Sequence, residues 1–115
     1  MIAKEAVVVF VDFDGDFSFQ GEGWNVFVGN EAAQEAKDFT KKALTALNEY
    51  YKRTRHRGIA AMIDEENREE YVENICHDDE LLNTFMRQGG DRFYNWKVEV
   101  HIVGLDLFFA KKSAY

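Results

Sequence analysis

Residues Ala6 to Phe19 read AVVVFVDFDGDFSF. A run of β-branched and aromatic residues is strand composition. On a strand, Val7, Val9, Val11 and Phe13 share one face, and Ala6, Val8 and Phe10 share the other. Apolar residues on both faces predict a strand inside its sheet and covered on both sides. From Asp12 onward the second face turns acidic, with Asp12, Asp14 and Asp16 at alternate positions. If the strand runs that far, the three carboxylates form a row at its end. Gly15 marks a bulge, a bend or a turn there.

Gln20-Gly21-Glu22-Gly23 reads as a hairpin turn, and Trp24 to Val28 as the returning strand, with Trp24, Val26 and Val28 alternating. Gly29-Asn30 breaks the strand, and Asn30 suits a helix N-cap. Glu31 to about Arg53 is the clearest helix, because Ala32, Ala36, Phe39, Ala43, Leu47 and Tyr50 recur at three- and four-residue spacing. Gly58 to Ile63 (GIAAMI) leans towards a short strand. Asn67 with Glu70 resembles a capping box, which starts a second helix near Arg68. Asp78 or Asp79 caps a further turn with Leu81, Leu82, Phe85 and Met86 inward, and Gly89-Gly90 fits its C-terminal end. Phe93 to Phe109 reads as one strand, with Trp96, Val98, Val100 and Ile102 on one face and a phase shift at Gly104.

These pieces predict an α+β two-layer sandwich. Its sheet is predominantly antiparallel, with two or three helices on one face, and a ferredoxin-like variant fits the same pieces. The length of 115 residues and the absence of proline, repeats and linker composition predict one domain over 1–115. With 46% hydrophobic and 15% aromatic residues the chain can bury a core without staples. A single cysteine, Cys76, excludes an internal disulfide and a CxxC zinc site. The apolar run before Asp12 is too short for a signal-peptide core or a membrane span, which predicts a cytoplasmic protein.

The net charge of −7 is segregated. Residues 1–36 carry −6, 37–57 carry +5, 64–80 carry −8 and 81–115 carry +2. The balance disfavours direct nucleic-acid binding, since phosphates demand cations. Blocks of opposite sign either serve charged partners or neutralise each other in the fold.

The aspartate row is the first candidate for chemistry. The hydrophobic run into Asp12-Phe13-Asp14-Gly15 resembles the opening motif of haloacid-dehalogenase-type phosphatases. That resemblance spans about ten residues and implies Asp12 as nucleophile, Asp14 as general acid and magnesium alongside. Position 16 departs from it, being Asp where that family has Thr. The same stretch resembles the first strand of NYN/PIN-type nucleases, with Asp64 as a further carboxylate. Both families need parallel sheets. A calcium loop would require Gly at its sixth position and Glu at its twelfth, where this chain has Phe17 and Gly23. Aspartates and glycine between strands also fit a solvated turn.

Elsewhere, His56, His77 and His101 form no HxH or HxxxH pair. No phosphate-cradling glycine motif occurs. Cys76 on an amphipathic helix reads as a buried small hydrophobe. The run Tyr50 to Arg57 mixes aromatics and cations, which suits single-stranded nucleic acid or anionic groups, and it also reads as a cationic helix end that complements the macrodipole. The acidic block contains Asp64, Glu65, Glu66, Glu69, Glu70, Glu73, Asp78, Asp79 and Glu80. Carboxylates spaced along helices can imitate phosphates and occupy basic sites on nucleic-acid-handling proteins.

The leading expectation is an acidic interaction module of inhibitor or immunity type. It would dock its acidic surfaces, residues 12–22 and 64–80, on a basic protein surface, without cofactor or membrane. The alternative is a magnesium-dependent phosphoryl-transfer enzyme or nuclease built on Asp12, Asp14 and Asp16. A third expectation is a homodimer paired through an exposed edge around Tyr94 to Ile102.

Overall fold

The computed structural model describes residues 5–13, 19–54, 62–93 and 96–104. Two hairpins flank three helices: β1 (Glu5–Asp12), β2 (Gly23–Val28), α1 (Ala32–Thr54), α2 (Met62–His77), α3 (Asp79–Arg87), β3 (Gly90–Phe93) and β4 (Trp96–Gly104). The strands form one antiparallel sheet in the order β2-β1-β4-β3. The fold is therefore an α+β two-layer sandwich. All three helices fall between the hairpins, so the βαββαβ order of the ferredoxin-like variant is not followed.

Strand β1 is central, as its apolar composition predicts. Its register is Phe10 opposite Trp24 on one side and Glu99 on the other. Val7, Val9, Val11 and Phe13 are buried, joined by Val98 and Val100 of β4. Helices α1 and α3 lie against this face, and α2 packs on both of them. Ala36, Ala43, Leu44 and Leu47 of α1, Val72 and Ile75 of α2, and Leu82 and Phe85 of α3 complete the core. The small alanines let the α1 backbone approach the sheet closely.

Three expectations are corrected by the chain path. Helix α2 begins at Met62, six residues before the expected Arg68, so Met62-Ile63 is helical and Asn67 lies inside the helix. The remainder of GIAAMI up to Ala61 lies outside the described residues. Phe93 to Gly104 is not one strand: β3 and β4 reverse between Phe93 and Trp96, which face each other in the ladder. Gly90, at the far end of this hairpin opposite Glu99, holds φ +83, and a Cβ on it would meet the Val98 carbonyl oxygen at 1.9 Å. Only glycine permits that close approach. The expected phase shift beyond Gly104 lies outside the described residues.

The β1–β2 connection is tied by two polar side chains. Glu22 Oε1 accepts from the Phe13 amide at 3.2 Å. Asn25 Nδ2 donates to the Gly21 carbonyl at 2.7 Å and the Gly23 carbonyl at 3.1 Å. Asp78 caps α3, accepting from the Glu80 amide at 2.9 Å and the Leu81 amide at 3.3 Å.

Candidate functional site

The acidic block divides once its surroundings are known. Glu69 is buried. Glu73 accepts from Lys52 Nζ at 3.2 Å, and Asp79 accepts from Lys37 Nζ at 2.6 Å. The Lys37 ammonium holds the Asp79 carboxyl below its ordinary value. Asp78 is committed to the α3 cap. The cationic side of α1 thus neutralises part of the block across the α1–α2 and α1–α3 contacts. Glu70 and Glu80 project from the helical layer into solvent. Asp64, Glu65 and Glu66 lie near the start of α2, and their side chains lie outside the described residues. Of the basic run, Lys52 meets Glu73 and Arg53 is exposed; Arg55, His56 and Arg57 lie outside the described residues.

The aspartate row is represented by Asp12 alone. It ends β1 on the sheet's outer face, opposite Lys97 in the ladder. Asp14 and Asp16 lie outside the described residues. Among the described residues, no three His, Cys, Asp or Glu side chains come together as a metal site. The two enzyme families that the motif resembles build parallel sheets, and among the described residues every strand pair is antiparallel. His77 at the end of α2 and His101 on β4 are both exposed. Cys76 is buried, as expected, with Thr45 Oγ1 at 3.6 Å from its sulfur. Burial pushes its thiol pKa up, which disfavours the reactive thiolate.

No protein-family model, curated protein or solved structure matches this chain. The functional argument therefore rests on its own surfaces.

The feature that the residues did not announce is the outer face of the sheet. With the helices on one side only, the even positions of β1 and β2 and the odd positions of β4 point away from the core. The register sets them in rows: Trp24, Phe10 and Glu99; then Val26, Val8 and His101. Trp24, Val26 and Val28 are 66%, 62% and 55% exposed. Phe10 packs on Trp24 with ring centroids 4.5 Å apart, and His101 stands 6.4 Å from Trp24. On the β4 side the face is charged: Lys97 lies over the Phe10 ring at 5.9 Å, and Glu99 is 3.4 Å from His101. The expectation that β1 is covered on both sides is corrected, since its even residues are only half-buried.

On the helical side, a groove of about 240 Å³ opens between α1, α3 and the sheet. Val7, Met86 and Ile102 form its apolar lining, with Lys37 and Arg87 at its wall. Lys37 is already paired with Asp79.

Proposed function

We propose that this chain is a non-catalytic interaction protein that presents the carboxylates of its helical layer to a basic surface of a protein partner. The observation that carries this reading is the imbalance left after internal pairing. Segment 64–80 holds −8, while the described ion pairs from α1 to it are Lys37–Asp79 and Lys52–Glu73, with Lys41 also acting on Asp79. Glu70 and Glu80 are exposed on this layer. A negative patch on a rigid helical support steers a cationic partner and sets the association rate. It suits an inhibitor that occupies a nucleic-acid- or substrate-binding site.

The reading is tested by affinity capture of the wild-type chain from its host cells, with identification of what is retained. The expected partner has a basic surface, is released by salt and is displaced by a competing oligonucleotide. Charge reversal of Glu65, Glu66, Glu70 and Glu80 to Lys abolishes its capture. Retention of the same partner by the reversed variant, with circular dichroism unchanged, refutes the reading.

A further inference from the structure

Strand β2 is an edge strand without the features that usually guard an edge. Among the described residues nothing pairs with its outer side. Gly23–Val28 (GWNVFV) has no charge and no proline, and its register with β1 runs without a bulge. Natural edges are blunted by lysines, prolines, bulges or covering segments. The strand's side-chain pattern is also reversed against its own core. Asn25 and Phe27 face the helices, while the apolar set of Trp24, Val26 and Val28 faces outward. Because the side-chain period is two, the register with β1 fixes this facing. Burial within one copy does not explain why three large apolar residues occupy the outward positions.

We propose that a second copy of this chain covers this edge, with the two β2 strands pairing antiparallel about a two-fold axis through Val26. The two four-stranded sheets then join into one of eight strands. The strand is self-complementary in this register. Val26 meets its own counterpart, Trp24 meets Val28 of the other copy, and Asn25 meets Phe27. Each pair keeps both members on one face, and aromatic–β-branched pairs are favourable across strands. A two-fold contact of this kind is isologous and closes at two copies.

Charge supports the same placement. Two copies at −7 each repel, so contact is cheapest where ionisable groups are absent. β2 has none, and its neighbours Ala6, Val8 and Phe10 on the outer face have none. The exposed side chains and strand backbone bury on the order of 1,000 Å² over both copies, at the low end of specific interfaces. The dimer is therefore expected to dissociate on dilution. It is independent of the acidic surface, which lies on the opposite layer.

Sedimentation equilibrium of the full chain from micromolar to near-millimolar concentration tests the proposal. The wild-type mass is expected to rise from 13.4 kDa towards twice that value. Val26→Lys, at a position 62% exposed, keeps its circular dichroism and melting curve but stays at the monomer mass. In the paired register the two Val26 Cα atoms are about 4.5–5.5 Å apart, within disulfide reach. Val26→Cys is therefore expected to oxidise to a covalent dimer much faster than Lys42→Cys, an exposed control on α1. A wild type that stays at 13.4 kDa throughout, a dimer that survives Val26→Lys, or equal oxidation of the two cysteine variants overturns the proposal.

Discussion

Asp78 stands where α2 ends and α3 begins, with extended backbone at φ −135 and ψ 111. Its carboxylate receives two amides that the helix cannot satisfy itself. Asp78→Ala is expected to cost about 1 kcal/mol in urea unfolding, while Asp78→Asn retains most of the stability. Gly90 acts through sterics instead. Gly90→Ala forces a side chain into positive φ and against the Val98 carbonyl, and it should cost about 3 kcal/mol or more or prevent the β3–β4 hairpin from forming. Two titrations carry opposite signs. The Cys76 thiol pKa is raised by burial, so its neutral form is favoured in the fold. That contribution is complete below the ordinary thiol range and is lost as pH rises through the folded value. Wild type should therefore lose stability relative to Cys76→Ala on alkaline titration, measured by melting temperature. Asp79 is depressed by its bond to Lys37, so its contribution is present at neutral pH and lost as acid protonates it. Lys37→Met should return the Asp79 titration, followed by NMR, towards the ordinary carboxylate value. An unmoved titration would contradict the pairing.

At the scale of elements, the two faces of the sheet make unequal demands. Val9 is fully buried against the helices, and Val26 is 62% exposed on the other side. Val9→Ala should cost about 2 kcal/mol, and Val26→Ala under about 0.5 kcal/mol in the monomer, measured by denaturant unfolding at low protein concentration. Equal costs would place the core on the wrong face. The residues made β1, α1 and the capped α3 legible, because strand composition, a long apolar stripe and a local Asp cap each act within a few positions. β3 was hidden, because the chain reverses between Phe93 and Trp96 with both side chains in the core. The inward phase changes from odd Phe93 to even Trp96, Val98 and Val100, and over so short a first strand that change is hard to see in the sequence. The start of α2 was hidden because Asp-Glu-Glu-Asn-Arg-Glu-Glu has good helix formers but no apolar stripe, while the preceding apolar run imitates a strand. β2 misled in a different way. Its outward positions are more apolar than its inward ones, so its own pattern gives no guide to which face the helices cover.

Taken as a whole, the molecule separates its surfaces by layer. The helices carry the carboxylate excess, partly balanced by Lys37 and Lys52, and the open sheet face carries the exposed Trp24, Val26 and Val28. The acidic candidates were legible as a block, but which of them are free was not. The pairing depends on α1 lying beside α2 and α3, a contact between residues tens of positions apart. In the proposed acidic association exposed charge is the driving force, so raising ionic strength should weaken partner binding steeply while leaving the proposed apolar self-association unchanged or stronger. The most direct measurement compares partner capture by the wild type, the charge-reversed variant (Glu65, Glu66, Glu70 and Glu80 to Lys) and Val26→Lys in one salt series. The account predicts that the charge-reversed protein loses the basic partner and that Val26→Lys keeps it. Undiminished, salt-insensitive capture by the charge-reversed protein would contradict the account.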